Sequence, residues 1–126
     1  METILVVDDE PTVLSFCERI LQMGGYRVLR AGGAEAALRV SSNAAHPIDL
    51  ALLDVMMPGL NGIELAGRLR AVQPELPIVL MSGFGPQEIG RVVGEHKYRI
   101  IWKPFQRDSL LRMIENALGQ SADTTV

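Results

Sequence analysis

Several side chains that could perform catalysis or bind a ligand come directly after short apolar runs of the sequence. Asp8 and Asp9 follow the first run, Asp54 follows a later one, and Ser82 and Lys103 follow the last two. If these runs are parallel strands, the five residues lie at one edge of a sheet. In open α/β sheets, ligands bind outside the carboxyl ends of the strands. The sequence therefore predicts one shared site.

The predicted site has the parts needed for phosphoryl transfer. Three carboxylates at one edge repel by about 4 kcal/mol per pair at 4 Å and an effective dielectric of 20. Protonation of one acid or a bound cation relieves this repulsion. Mg²⁺ suits such oxygen ligands where phosphate is also present. The Lys103 ammonium suits phosphate, and the Ser82 hydroxyl can bond further oxygens.

Each of these residues also has an ordinary structural explanation. Asp8 or Asp9 could cap a helix that begins near Pro11. Ser82 alone is a common turn residue, and Lys103 alone is a common surface charge. Their joint placement at the ends of four runs favours the functional interpretation.

Residues 48–53 form the central apolar run, which ends at Asp54. The run has one early break at Asp49 and is bounded by His46-Pro47 and Pro58-Gly59. Its length and composition are typical of a strand buried on both faces of a parallel sheet. A carboxylate at the end of such a strand is more often a functional group than a core residue.

Strands and helices are predicted to alternate along the chain. The predicted strands cover residues 3–7, 26–31, 48–53, 78–81 and 98–102. The predicted helices run from Pro11 to Gly24-Gly25, over 34–40, from Asn61-Gly62 to Val72, over 87–95, and up to Leu118. This alternation predicts a doubly wound α/β fold with a parallel five-stranded sheet covered on both faces.

Length and composition predict one globular domain over residues 1–119, followed by a disordered tail over 120–126. The chain has 126 residues, 48% of them apolar, and a formal net charge of −3. This charge gives no reason to expect nucleic acid or an anionic membrane as a partner. No stretch has the length of a membrane span or the pattern of a signal peptide. The single cysteine, Cys17, is predicted to be a core residue and suits a reducing cytoplasm.

The chain resembles the receiver domain of two-component response regulators over about residues 3–118. The resemblance rests on four segments in order: Ile4-Leu5-Val6-Val7-Asp8-Asp9-Glu10, Asp54-Val55-Met56-Met57-Pro58-Gly59, Met81-Ser82-Gly83 and Lys103-Pro104-Phe105. It implies a flavodoxin-like (βα)5 fold with strand order 2-1-3-4-5. It also implies a cis Lys103-Pro104 bond.

The resemblance also implies a role for each site residue. Asp54 would accept a phosphoryl group from a phosphohistidine on a histidine kinase or histidine phosphotransfer protein. Mg²⁺ would be held by Asp9, Asp54 and the Met56 carbonyl, with Asp8 acting through water. Ser82 and Lys103 would bind the phosphoryl oxygens. The protein would be a cytoplasmic monomer or weak dimer that catalyses only its own phosphorylation and dephosphorylation.

One departure from the family pattern concerns the residues that would signal phosphorylation to a partner. Receivers usually carry an aromatic residue three positions before the lysine, and here that position is Ile100. Either Ile100 and Trp102 simply pack, or Ser82 closes on the phosphoryl group and Trp102 relays the movement. The segments around Tyr26, Ser82 and Trp102 look most like receivers of hybrid histidine kinases. His46 and His96 match no site of the family and are predicted to be solvated.

Two other functions compete with the receiver. A protein-interaction module that no longer uses phosphate is disfavoured because every expected acid, hydroxyl and lysine is present. A metal-dependent phosphatase for external substrates would need a substrate pocket, and the sequence has no obvious insertion that could build one.

Overall fold

The computed structural model describes residues 1–83, 85 and 98–119. Five strands are present: β1 (Thr3–Val7), β2 (Arg27–Ala31), β3 (Leu50–Asp54), β4 (Ile78–Ser82) and β5 (Arg99–Trp102). The described part also contains the helices α1 (Pro11–Met23), α2 (Ala34–Ser42), α3 (Gly62–Val72) and α4 (Arg107–Leu118). The helix predicted over 87–95 and the tail predicted over 120–126 lie outside the described residues.

The strands form one parallel sheet in the order β2-β1-β3-β4-β5. This confirms the predicted flavodoxin-like order. Of the three inner strands, β1 and β3 lie side by side, with Val7 opposite Leu53. The chain segments that leave these two strands therefore start next to each other at the carboxyl edge.

Successive residues of the inner strands enter two different cores, because side chains alternate across a sheet. Leu5 and Val7 pack on the side of α2 and α3, whereas Ile4 and Val6 pack on the side of α1 and α4. Strands β1, β3 and β4 are buried along their whole length. Covering both faces in this way is the doubly wound arrangement that the apolar runs predict.

The helix ends follow from local chemistry. Helix α1 begins at Pro11, where the missing N–H costs nothing, and it ends at Gly24-Gly25, where Gly25 has a φ of +92°. Asn61 caps α3 in a capping box with Glu64. The predictions at both positions are confirmed.

Six predicted boundaries shift by one to two residues, namely the starts of β2, β3 and β5, the ends of β3 and β4, and the end of α2. Strand β2 begins at Arg27 and β3 at Leu50, later than predicted. The start of β3 is displaced because the Asp49 carboxylate, and not a main-chain carbonyl, accepts the Thr3 N–H at 2.7 Å. Helix α2 continues to Ser42, whose hydroxyl donates back to the Leu38 carbonyl at 2.9 Å. Among the described helices, none is long and apolar enough to cross a membrane.

Candidate functional site

The carboxyl edge of the sheet gathers the predicted acids. Asp54 is the last residue of β3, while Asp8 and Asp9 follow β1 directly. One carboxylate oxygen from each of the three lies within 4.8 Å of the others. The neighbouring inner strands β1 and β3 thus deliver all three charges to one place.

Asp8 is completely buried, and both of its carboxylate oxygens accept hydrogen bonds. Oδ1 accepts from the Glu10 backbone N–H at 2.9 Å, and Oδ2 accepts from Lys103 Nζ at 2.8 Å. The cap of α1 is Glu10, with no side-chain hydrogen bond. Asp8 is therefore not the helix cap, although its carboxylate fixes the turn that leads into α1. The alternative prediction, in which Asp8 or Asp9 caps this helix, is therefore wrong.

Asp54 is also buried, with 6% of its surface exposed, and its Oδ1 accepts from Lys103 Nζ at 3.3 Å. Burial raises the pKa of Asp54 to about 6, and the charge of Asp8 adds to this effect while Lys103 opposes it. Near neutral pH the ionised form of Asp54 is therefore held in an unfavourable environment. A cation beside it would relieve that cost.

Lys103 extends from the end of β5 to both acids. Burial lowers the pKa of Lys103, but the hydrogen bond with Asp8 and the charges of Asp54 and Asp8 outweigh burial and hold the pKa above its ordinary value. The lysine is therefore protonated at neutral pH. Within the described part of the chain, Lys103 brings one positive charge to a cluster of three acidic side chains, so acidic groups outnumber basic groups there. This donor set fits a hard, oxygen-ligated divalent cation such as Mg²⁺.

Ser82, the last residue of β4, is buried beside this cluster. Its carbonyl accepts the Lys103 backbone N–H at 2.7 Å, which joins the ends of β4 and β5. The Lys103-Pro104 peptide bond is cis, as the family resemblance implies. Met56 lies two residues beyond Asp54 with an exposed side chain, and the Val55 N–H still donates to the Met81 carbonyl at 3.0 Å.

The residues of β5 alternate between faces as predicted. Tyr98 and Ile100 pack against the core that contains Leu53, whereas Ile101 belongs to the opposite core. Trp102, opposite Ser82 in the sheet, is 40% exposed. The structure thus places Trp102 beside the predicted site and Ile100 in a packed position.

An apolar groove beside Lys103 was not predicted from the sequence. It is lined by Thr12, Val13, Phe16, Lys103, Pro104 and Phe105. The rings of Phe16 and Phe105 lie 6.0 Å apart between centroids, and Phe16 is exposed. The available signal was that Phe16 is an aromatic residue outside the buried stripe of α1.

Two predictions outside the site concern a cysteine and a histidine. Cys17 is buried against Met81, and burial raises the pKa of its thiol to about 12, with a further contribution from the charge of Asp8. It is a core residue, as predicted. His46 is exposed, as predicted, and His96 lies outside the described residues.

Comparison with known proteins gives a consistent result. A family model described as the response regulator receiver domain matches residues 4–115. The transcriptional regulatory protein AruR of Pseudomonas aeruginosa is 42% identical over 94 residues, which cover 72% of this chain and 38% of AruR. The nitrogen assimilation regulatory protein NtrX of Azorhizobium caulinodans is 36% identical over 118 residues, which cover 91% of this chain and 26% of NtrX.

Solved structures agree with these sequence matches. A CheY-like receiver domain protein from Methanospirillum hungatei has a TM-score of 0.86 at 26% identity, with 98% of both chains covered. NtrX from Brucella abortus in complex with ADP also has a TM-score of 0.86, at 32% identity, with 99% of this chain and 29% of NtrX covered.

The chain therefore spans well under half of AruR and of both NtrX proteins. These relatives are regulators, so the resemblance to hybrid-kinase receivers stays a prediction. The family model covers most of the sequence, and the fold and the sheet order agree with it. The chain belongs to the response regulator receiver domain family.

Proposed function

We propose that this chain is a phospho-accepting receiver of a two-component signalling system. Asp54 accepts a phosphoryl group from a phosphohistidine of a histidine kinase or histidine phosphotransfer protein. The modified segment then acts, in the cytoplasm, on a partner or on the remainder of a longer protein. The observation that carries the proposal is the cluster of three carboxylates within 4.8 Å whose two buried members both bind Lys103 Nζ.

The surroundings of the three acids favour Asp54 as the nucleophile. Both oxygens of Asp8 are engaged by protein donors, and its side chain is fully buried. Asp9 is exposed and lies at the rim. Asp54, at the end of the central strand β3, has 8% of its side chain exposed, which is intermediate between Asp8 and Asp9. One of its oxygens attacks phosphorus, the P–N bond of the donor breaks with its electron pair left on the imidazole, and an acyl phosphate forms.

The other residues manage charge during this transfer. Asp9, Asp54 and the Met56 carbonyl would hold Mg²⁺, with Asp8 bound through water, and the bound ion would reduce the repulsion between the anionic donor and the acids. Lys103 stays protonated and can bind a phosphoryl oxygen in place of its present carboxylate partner. The Ser82 hydroxyl can bond another oxygen. The segment has no further substrate and works only on itself.

A donor protein also needs a surface beside Asp54. The apolar groove formed by Phe16 and Phe105 borders Lys103 and could receive an apolar side chain of such a donor. The formal net charge of −3 gives this segment no electrostatic basis for binding nucleic acid. We therefore propose that it acts through protein contacts, as a monomer or weak dimer.

Treatment with acetyl phosphate and Mg²⁺ tests the proposal. Mass spectrometry should find one added phosphoryl group, located at Asp54, which Asp54→Asn removes. The matched control is Asp108→Asn, which changes an exposed carboxylate on α4. A label on Asp8 or Asp9 would overturn the assignment. No modification at all would favour an interaction module, and continuous donor hydrolysis without a retained label would favour a phosphatase.

A further inference from the structure

Gly62 lies in closer contact with the acceptor strand than any side chain would permit. It is the first residue of α3 and is buried. A Cβ atom at this position would overlap the carbonyl oxygen of Asp54, lie 2.9 Å from its carbonyl carbon and lie 3.0 Å from Val55 Cα. All three neighbours are backbone atoms, so no flexible side chain can move aside to make room.

Space, and not backbone conformation, is what requires glycine here. Positive φ angles among the described glycines occur at Gly25 and Gly59 and not at Gly62. Alanine could adopt the local conformation of residue 62 without strain. It could do so only by displacing either the Asp54-Val55 peptide or the start of α3.

Hydrogen bonds hold both sides of this contact. The Gly62 N–H donates to the Val55 carbonyl at 2.9 Å, and the Val55 N–H donates to the Met81 carbonyl of β4 at 3.0 Å. On the helix side, Asn61 Oδ1 accepts from the Ile63 and Glu64 backbone N–H groups, both at 2.9 Å. The peptide that follows Asp54 is thus fixed between β4 and the first turn of α3.

We propose that Gly62 is a positioning residue that sets the orientation of Asp54, and of the backbone leading to Met56, by backbone-to-backbone contact. The inference rests on the proposed role of Asp54 as acceptor. A displaced Asp54-Val55 peptide turns the Asp54 carboxylate and also moves the next carbonyl groups along the chain. Both phosphoryl transfer and Mg²⁺ binding should therefore depend on the absence of a side chain at residue 62.

Gly67 offers a matched control in the same helix. It is exposed, and a Cβ atom there would meet nothing within 4 Å. Gly67→Ala adds the same methyl group to α3 as Gly62→Ala does. It should raise stability, since alanine is the better helix former.

The experiment compares the two alanine variants with the wild type in two measurements. The first is the maximal rate of labelling by acetyl phosphate at saturating Mg²⁺, and the second is Mg²⁺ affinity by calorimetry. Gly62→Ala should lower the rate by roughly 10- to 100-fold, the cost of a small misplacement of a reacting group, and should weaken Mg²⁺ binding. The labelling rate and the Mg²⁺ affinity of Gly67→Ala should both stay within about twofold of the wild-type values, because the added methyl group is remote from the Asp54-Val55 peptide.

A merely structural role predicts a different response to stabilisation. Trimethylamine N-oxide strengthens folding without restoring a displaced peptide. If it restores the labelling rate of Gly62→Ala to that of the wild type, the loss came from unfolding and the proposal is wrong. A rate that stays low while urea unfolding shows restored stability supports positioning.

Asn61→Ala provides a second variant in case Gly62→Ala does not fold. It adds no atoms but removes the hydrogen bonds that hold the first turn of α3. Slower labelling than in Gly67→Ala supports the proposal, and unchanged labelling overturns it. If the wild type takes no label, the proposed function fails, while the Mg²⁺ affinities of the Gly62→Ala and Gly67→Ala variants still decide the role of Gly62.

Discussion

Asp49 directly precedes β3 and Asp54 ends it, so one strand joins two aspartates in opposite surroundings. At the amino edge, Asp49 Oδ2 accepts the Thr3 backbone N–H at 2.7 Å, and the Asp49 N–H donates to the Thr3 carbonyl at 2.8 Å. Asp49 thus forms two hydrogen bonds with Thr3 of the neighbouring strand β1. At the carboxyl edge, Asp54 faces two other carboxylates and one ammonium group.

The same contrast extends to the other polar residues of the two edges. Near the amino edge, Gln73 donates to the Ile48 carbonyl at 2.7 Å, and Arg70 donates to the Leu76 carbonyl at 3.0 Å while lying over the Tyr98 ring. These side chains satisfy backbone groups. At the carboxyl edge, side chains mainly face each other's charges. The polar side chains of the amino edge therefore stabilise the fold, whereas those of the carboxyl edge form the reactive site.

The largest expected difference concerns the two aspartates of β3. Asp54→Asn should reduce labelling by acetyl phosphate by roughly 1,000-fold or more, because the nucleophile is gone. Asp49→Ala should leave labelling within about twofold but lower the free energy of unfolding by about 1–3 kcal/mol, since the buried Thr3 N–H loses its acceptor. Mass spectrometry and urea unfolding measure the two effects. Labelling lost in Asp49→Ala would break the contrast between the edges.

Substitution of a cationic residue should have different effects at the two edges of the sheet. Lys103→Met should slow phosphorylation by roughly 10- to 100-fold. The substitution removes the ammonium group that pairs with both buried acids and that would bind a phosphoryl oxygen. Arg70→Met keeps most of the apolar stem and should cost only about 1–2 kcal/mol of stability. Initial labelling rates and urea unfolding of both variants test this. Similar slowing in both variants would contradict the separation.

The pH dependence of metal-free stability should come from the carboxyl edge. The pKa of Asp54 is about 6 in the folded protein and 3.8 in the unfolded chain. Between these values the folded state binds more protons, so the free energy of unfolding falls as pH rises, by roughly 2–3 kcal/mol in total. Urea unfolding across this interval measures the fall. It should flatten in Asp54→Asn, and an equal fall in that variant would assign it to other groups.

Substitution of Asp9 should reveal the repulsion among the three acids through a smaller change in stability. Mg²⁺ at about ten times its dissociation constant should raise the wild-type free energy of unfolding by about 1.4 kcal/mol. Asp9→Ala should lose this gain and phosphorylation, yet melt about 2 °C higher than the wild type without metal, because one repelling charge is removed. Thermal melts with and without Mg²⁺ test both statements, with Asp108→Ala as the control. A lower metal-free melting temperature in Asp9→Ala would argue against a crowded acid cluster.

The smallest effect is expected on β5, which Tyr98 directly precedes and which ends at Trp102. Trp102 is the only tryptophan of the chain, so its fluorescence can be followed without ambiguity. If it relays the movement of Ser82, its emission should change on phosphorylation and not in Asp54→Asn, and Trp102→Ala should bind partners differently. Unchanged emission at full phosphorylation, with unchanged partner affinity, would leave Trp102 and Ile100 as packing residues.

The sequence predicted the sheet and the gathering of the acids because both follow from local patterns. An apolar run that ends in Asp54 places that residue at a strand end, and Asn61-Gly62 indicates a helix start. The role of Asp49 was missed because a carboxylate that replaces a main-chain acceptor looks like a simple break in the run. The contacts of Gly62 and Phe16 were missed because they depend on how separate elements pack.

The ion pair between Lys103 and Asp8 joins residues 95 positions apart in the chain. Such a contact cannot form until β5 has docked onto the sheet, which requires nearly the whole domain to be present. During synthesis, Asp8, Asp9 and Asp54 leave the ribosome before Lys103 does, because Lys103 lies later in the chain. A chain cut before β5 would therefore leave the carboxylates facing each other without a cation from the protein. The site is therefore complete only when the whole sheet, including β5, has formed.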